Sequence, residues 1–327
     1  MKAAVSRRYG PPEVVCVADV EKPTLGDNEL LVKIHATTVN RTDCGYLRAK
    51  PFILRFWTGL RKPRKTVLGT EFAGEVEAVG SSVTSFAVGE RVFGYVEGPF
   101  GAHAQYLTIP EDGSLAAIPA DLTYEQAAPA TEGSHYALSS LTRAKVRSGQ
   151  DVLVNGATGA IGSAAVQLLK TLGVWVTAVC DTAHIELVRG LGVDKVVDYT
   201  VTDFTQDDQR YDIVFDAVGK SSFGRCRRLL KPGGIYVSSD GGPWFQNAVL
   251  PLVTPLAGRY LEDKRVVFPF PKIDQAMVRR FAQLMESGAF RPVIDRRYAL
   301  DDIVEAYRYV ETGRKTGSVV IVVDHAS

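Results

Sequence analysis

The sequence predicts an α/β protein in two parts, a β-rich unit and a doubly wound parallel sheet. Three observations carry that expectation. Short strand-like runs separated by turn residues fill the first 120 positions. From Asp151 onward, apolar runs alternate with helical periods, the pattern of successive βαβ units. A glycine triplet, Gly156, Gly159 and Gly162, sits at the first strand-to-helix junction.

Composition narrows the class. The 327 residues suit two domains at roughly 150 each. With 38 Lys and Arg against 37 Asp and Glu, the net charge is +1, so the total shows none of the basic excess of a nucleic-acid binder. Apolar residues at 46% and charged residues at 23% exclude disorder, collagen and coiled coil. Cys16, Cys44, Cys180 and Cys226 are scattered, which fits neither a disulfide framework nor a short-spaced structural zinc site. The opening MKAAVSRRYGPPEVV has no apolar run of signal-peptide length. The greasiest segment, Ala248 to Gly258, is broken by Pro251 and Pro255, whereas a membrane span needs about 20 apolar residues. No membrane or nucleic-acid partner and a cytoplasmic location are expected.

The elements follow in order. LLVKIHATTV, FAGEVEAVG, RVFGYV and AQYLTI lie between Gly, Pro, Asp and Ser clusters and read as strands of a small barrel or sandwich. Around Asp121 the spacing turns helical, in LTYEQAAPATEGSHYALSSLTRAKV. DVLVNGA is a continuous apolar run, as a buried parallel strand should be. IGSAAVQLLKTLG follows as a helix closed by Gly173. WVTAVC, KVVDY, YDIVFDAVG and GGIYVSSD supply further strands, with helices at HIELVRGLG and FGRCRRLLKPGG, and RVVFPF a sixth strand. After Phe270 come a helix in IDQAMVRRFAQLMESG, a strand in RPVIDRRYAL, a helix in DDIVEAYRYVETG and a last strand in SVVIVV. The expected partition is residues 1–120 with 271–327, and 121–270.

The glycine junction carries the chemistry. Glycine is required where backbone must turn sharply and approach a pyrophosphate without a Cβ in between. The helix that follows turns its free N–H groups and positive dipole end toward that anion. Asn155, Gly156, Ala157, Thr158, Gly159, Ala160, Ile161 and Gly162 are therefore the candidate dinucleotide turn. Asp181, 19 residues after Gly162, ends the second strand. A carboxylate there accepts from the adenosine ribose diol and repels a 2′-phosphate, which favours NADH within an NAD(P)H reading. Asp181 could equally cap the next helix, and His184 and Arg189 keep NADPH open.

As a whole the chain resembles the medium-chain dehydrogenase/reductase superfamily. The resemblance rests on VNRTDCGYLR, VLGTEFAGEVEAVG, VGERVFGYV, GATGAIGSAAVQLLKTLG, LGVDKVVDY, FDAVG, LLKPGGIYV and the segment from Arg291 to Ile321, and it covers residues 1–323. It implies a GroES-like β-barrel catalytic domain, interrupted by a Rossmann dinucleotide-binding domain. Alcohol dehydrogenases of this type hold a catalytic zinc with Cys and His. Here Asn40 stands at the first ligand position, and the family's Gly-His-Glu reads Gly69-Thr70-Glu71. The expectation is no metal.

Zinc-free members of the superfamily are quinone oxidoreductases and enone or enoyl reductases. The resemblance thus implies hydride transfer from NAD(P)H to a small-molecule quinone or activated C=C. It also implies the site residues. Asn40, Tyr46, Thr131 and His135 are catalytic candidates, with Asp43 and Arg48 read as an ion pair fixing their loop. His184 and Tyr199 would flank the adenosine, and Ala217, Val218 and Gly219 end the fourth strand of the sheet. Ser238 and Ser239 end the fifth, and Lys315 lies near cofactor or substrate. The aromatic and basic stretch 51–65 reads either as a lid or as a solvated loop. A homodimer is expected, with GGIYVSSD and the following PWFQNAVLPLVTPLAG forming a dimer edge or covering the sheet. Two other readings stay open: an alcohol dehydrogenase with unusual metal ligands, and a nucleotide-binding sensor without turnover.

Overall fold

The computed structural model describes residues 1–96, 98, 100–240, 246–256 and 258–325. Its chain divides into two compact units, Met1–Glu132 with Ile273–Ser327, and Gly133–Lys272.

The first unit begins with β1 (Lys2–Ser6) and β2 (Val15–Asp19), an antiparallel pair. Then come β3 (Glu29–Val39), α1 (Arg41–Arg48), α2 (Arg55–Thr58), β4 (Glu71–Val79), β5 (Arg91–Tyr95), β6 (Tyr106–Pro110), β7 (Leu115–Ala117) and α3 (Tyr124–Ala127). The second unit carries α4 (Glu132–Arg143), β8 (Asp151–Asn155), α5 (Ala160–Thr171), β9 (Trp175–Cys180), α6 (Ile185–Gly190), β10 (Lys195–Asp198) and β11 (Tyr211–Asp216). It continues with α7 (Phe223–Cys226), β12 (Leu230–Ser238), α8 (Gln246–Val253) and β13 (Arg265–Val267). The chain returns to the first unit with α9 (Gln275–Glu286), β14 (Ile294–Ala299), α10 (Ile303–Glu311) and β15 (Ser318–Val322).

In the first unit the strand order is β14-β15-β3-β4-β5-β7, with β6 also pairing β3. Side chains that alternate inward along these strands build the core, among them Leu30, Val32, Ile34, Phe72, Val76 and Leu107. Helix α10 joins that core through Ile303, Ala306, Tyr307 and Val310, one face at helical spacing. The units part at Glu132, later than the texture change near Asp121, because α3 and the turn Ala128–Ala130 pack on β3 and β4. The sequence shows no helical period at VNRTDCGYLR, yet α1 forms there. Eight residues are too few for a period, and the start is set by a capping box between Asn40 and Asp43.

The second unit is a six-stranded, all-parallel sheet in the order β10-β9-β8-β11-β12-β13. The order reverses between β8 and β11, so the loops that leave those strands open the crevice where such sheets bind dinucleotides. Strands β8, β9 and β11 are buried along nearly their whole length, which explains their unbroken apolar runs. GGIYVSSD lies inside the sheet, since β12 pairs with β11 on one side and with β13, the expected sixth strand, on the other. The edge is β13. Residues 243–245 and 257 of the adjoining segment lie outside the described residues.

Candidate active site

The cofactor half belongs to the second unit. Gly156 leaves β8 with φ +83°, and a Cβ there would stand 1.9 Å from Val218 Cγ2. A Cβ on Gly162 would lie 2.1 Å from the Gly156 carbonyl oxygen. The fold itself therefore demands both glycines. Gly159 differs, because it has an ordinary φ of −72° and a Cβ there would meet nothing closer than 3.7 Å. It is the N-cap of α5 and makes no side-chain cap. The open space above Gly159 and the unpaired first-turn N–H groups of α5 fit a pyrophosphate.

Around that turn, several N–H groups are already spent. Gly156 and Ala157 both donate to the Val179 carbonyl at 3.2 Å, and Ala157 is fully buried. Thr158, Gly159, Ala160 and Ile161 form the accessible face. Asn155 donates through Nδ2 to Asp216 Oδ1 at 3.0 Å. The same carboxylate accepts from the N–H groups of Val218, Gly219 and Ser221 at 3.0–3.2 Å and from the Tyr236 hydroxyl at 3.1 Å. Asp216 thus shapes the turn that carries Ala217, Val218 and Gly219. The sequence reading missed it, although a carboxylate ending a buried strand was the available signal. Ser238 is fully buried and accepts from the Asp240 N–H, whereas Ser239 is half-buried.

Asp181 follows β9 and makes no capping hydrogen bond, which corrects the helix-cap reading. Its Oδ1 pairs instead with His184 Nδ1. Tyr199, exposed, donates its backbone N–H to the Cys180 carbonyl and so stands beside the end of β9. His135 lies on α4, buried, with its ring 4.6 Å from that of Tyr136.

The first unit holds a buried polar cluster. Asn40 accepts from the Asp43 N–H at 2.9 Å and donates through Nδ2 to Thr70 Oγ1, also at 2.9 Å. Asp43 is fully buried, and desolvation holds its pKa well above the usual range. It does not pair with Arg48, a second correction: Arg48 Nη2 donates to Glu311 on α10 at 2.6 Å. His103, also missed, lies 3.8 Å from Asp43. Burial lowers its pKa to about 4, so it is neutral at pH 7. A carbonyl only accepts, so Nε2–H donates to the Thr38 carbonyl at 2.7 Å and Nδ1 accepts from Tyr307 at 3.2 Å. His103 also explains Gly69, where a Cβ would meet the His103 nitrogen at 2.5 Å.

Glu71 is the centre of this cluster. Its Oε1 accepts from the Thr131 N–H (3.1 Å), the Thr131 hydroxyl (2.9 Å) and the Glu132 N–H (2.6 Å). Its Oε2 accepts from the Thr38 hydroxyl at 2.6 Å. Burial raises the Glu71 pKa against the pull of these bonds. Thr131, fully buried, is therefore a clamp on Glu71. Tyr46 on α1 is half-buried, edge-on to Phe100 at 4.6 Å. Lys315 is partly buried and donates to the Gly317 carbonyl, and desolvation lowers its pKa.

Comparison with known proteins places this arrangement. The zinc-binding dehydrogenase family matches residues 191–321, and the alcohol dehydrogenase GroES-like domain matches residues 26–120. With a GroES-like unit, a Rossmann sheet and a built glycine cradle, the chain belongs to the medium-chain dehydrogenase/reductase superfamily and is an NAD(P)H-dependent oxidoreductase. Its relatives narrow the branch. It is 31% identical to the 2-methylene-furan-3-one reductase of Solanum lycopersicum, over 98% of this chain and 79% of that one. It is 29% identical to the NADPH-dependent alkenal/one oxidoreductase, chloroplastic, of Arabidopsis thaliana, with the same coverage. The quinone oxidoreductase of Coxiella burnetii superposes with a TM-score of 0.86 at 25% identity, covering 99% of both chains.

The family description raises the question of zinc. The donors at the ligand positions are an amide, a hydroxyl and a carboxylate whose two oxygens already accept four hydrogen bonds. Zinc takes thiolate, imidazole or free carboxylate. Among the described residues no group of three His, Cys, Asp or Glu is placed to hold a metal. The residues do not fit zinc.

Proposed function

We propose that the protein reduces quinones, or the activated C=C of enones and enoyl thioesters, without a metal and with NADH preferred over NADPH. The observation that carries this reading is Glu71. The carboxylate beside the superfamily's metal position is saturated by Thr38, Thr131 and Glu132, so the Lewis-acid route lacks its ligands.

A bound NAD(P)H supplies hydride from the nicotinamide C4. The chain's own residues position it. The first turn of α5 receives the pyrophosphate over Gly159, and Asp181 accepts from the ribose diol. Asn155 and Asp216 brace the loop of Ala217, Val218 and Gly219, while His184 and Tyr199 flank the adenosine. The acceptor delocalises the incoming electron pair into a quinol oxyanion or an enolate, so the enzyme need supply only orientation and a proton. Hydride enters at the β-carbon and the proton at the α-carbon, or at oxygen in a quinone. Lys315 and the Tyr46 hydroxyl are the protons at hand in the first unit. Desolvation lowers the pKa of the Lys315 ammonium and so makes it a readier donor than a solvated lysine.

The test is oxidation of NADH, and separately of NADPH, with an ortho-quinone, a para-quinone and an α,β-unsaturated ketone, with and without chelator. Turnover that survives chelator supports the proposal. Tight cofactor binding without turnover points to a sensor, and alcohol oxidation that appears on zinc addition points to an alcohol dehydrogenase.

A homodimer through the β13 edge is part of this reading. Among the described residues β13 has no strand on its outer side, and Leu252, Leu256, Tyr260 and Phe270, all exposed, cluster in sequence around it. Edge strands of this kind invite pairing. Leu252→Asp with Leu256→Asp should turn a dimer into a monomer by light scattering.

A further inference from the structure

The stretch 51–65, between α1 and β4, has no part in the reading above and stands apart in its chemistry. Phe52, Ile53, Phe56, Trp57 and Leu60 are 53–66% exposed, a concentration of large apolar side chains that a solvated loop would bury. Phe52 and Phe56 lie on one side, with ring centroids 6.3 Å apart. The display is built, not frayed. The Tyr9 hydroxyl lies 2.7 Å from both Thr58 Oγ1 and the Gly59 carbonyl oxygen, and the Arg64 N–H donates to the Thr58 carbonyl at 2.7 Å. The Arg55 guanidinium rests 4.9 Å from the Tyr9 ring and 5.2 Å from that of Phe52.

Cations surround these rings. No Asp or Glu occurs between Asp43 and Glu71, while Arg61, Lys62, Arg64 and Lys65 follow Trp57 directly and are all exposed. Arg7 and Arg8 join them, because Ser6 donates to the Thr66 carbonyl at 2.7 Å and Val5 bridges Val67. Among the described residues none of these six cations has an ion-pair partner, in a chain whose net charge is only +1.

We propose that this patch docks the protein on an anionic lipid surface, with Phe52, Phe56, Trp57 and Leu60 inserted at headgroup level and the cations on the phosphates. Aromatic and aliphatic side chains beside basic residues match the two layers of such an interface. An acidic protein would pair the cations but would not call for so many protruding apolar side chains. No helix among the described residues is long and apolar enough to cross a membrane, and surface docking needs none. The docked enzyme would meet acceptors dissolved in the bilayer, such as long-tailed quinones or lipid-derived enals.

The experiment is sedimentation of the full chain with vesicles of phosphatidylcholine, alone or with about a third phosphatidylglycerol, while tryptophan emission is recorded. The expected result is sedimentation with the anionic vesicles, weakened by salt, and a blue shift that Trp57→Phe removes without abolishing binding. Each lost cation should weaken binding about fivefold, so exchanging Arg61, Lys62, Arg64 and Lys65 for Gln should weaken it by more than about a hundredfold. Unchanged thermal unfolding excludes misfolding as the cause. Equal binding to neutral vesicles, or binding to neither, overturns the proposal. In the latter case, capture of an acidic carrier protein that the Gln variant loses reassigns the patch to a protein. A raised KM for an apolar enone in Phe56→Ser with Trp57→Ser, measured without vesicles, reassigns it to a substrate lid. None of these readouts except the last depends on the proposed reaction.

Discussion

Replacing each glycine of the dinucleotide turn by alanine separates what the fold needs from what the cofactor needs. Gly159→Ala puts a methyl 3.7 Å from its nearest neighbour at an ordinary φ, so the protein itself loses little. The N-cap preference for Gly over Ala costs a few tenths to about 1 kcal/mol, and the stiffer unfolded chain returns about as much, for a net change within about 0.5 kcal/mol. Gly156→Ala must hold a left-handed φ of +83° and clear Val218 Cγ2 at 1.9 Å. Gly162→Ala must displace backbone at 2.1 Å. Strain and overpacking together give about 2–4 kcal/mol for each. For NADH the order reverses. The Gly159→Ala methyl occupies the pyrophosphate cradle and should raise the Kd at least tenfold, about 1.4 kcal/mol. Urea unfolding and NADH fluorescence titration read the two quantities separately. A Gly159→Ala protein that binds NADH like the parent, or that loses more than about 2 kcal/mol of stability, refutes the assignment of the cradle.

Three further outcomes are expected. Asp181→Ser should raise KM for NADH about tenfold or more and shift the kcat/KM ratio toward NADPH, since a charge-assisted hydrogen bond is worth about 1.5–3 kcal/mol; an unchanged ratio would leave Asp181 as no more than the partner of His184. Lys315→Met should lower kcat by about two orders of magnitude with the Kd for NADH unmoved, and a normal kcat in this variant together with a slow Tyr46→Phe would assign the proton to Tyr46. His103 has a folded pKa of about 4, below the unfolded value near 6.5. The unfolded chain therefore takes up this proton first. Between those values stability should fall with acidity by up to about 1.4 kcal/mol per pH unit, with no contribution above pH 6.5. Buried Asp43 and Glu71, with raised pKa values, act in the opposite sense. The His103 share is thus read as the difference between the urea-unfolding curves of the parent and His103→Gln, and parallel curves would refute it.

Much of this protein was legible in one dimension because its signals are local. Buried parallel strands must be apolar on both faces, so DVLVNGA, WVTAVC and YDIVFD announce themselves, and the glycine turn is written in consecutive residues. The substitution of Asn40 and Thr70 for metal ligands is equally a matter of residue identity. What the sequence could not show depends on partners distant along the chain. Glu71 reads as a lone acid until the fold brings Thr38 and the Thr131–Glu132 backbone onto it. Arg48 has an obvious neighbour in Asp43, but α10 presents Glu311 from the far end of the chain, and Asp43 is committed to its cap and to the buried cluster around His103. Likewise the order of the strands, with β12 inside and β13 at one end, is set only by their pairing. Hydrophobic periodicity and turn chemistry are properties of neighbours in sequence, so the sequence alone determined the fold class and the glycine turn at the end of β8. Hydrogen-bond partners and desolvation are properties of neighbours in space, so only the tertiary structure decided which polar residues are bound up in the fold and which remain available for chemistry.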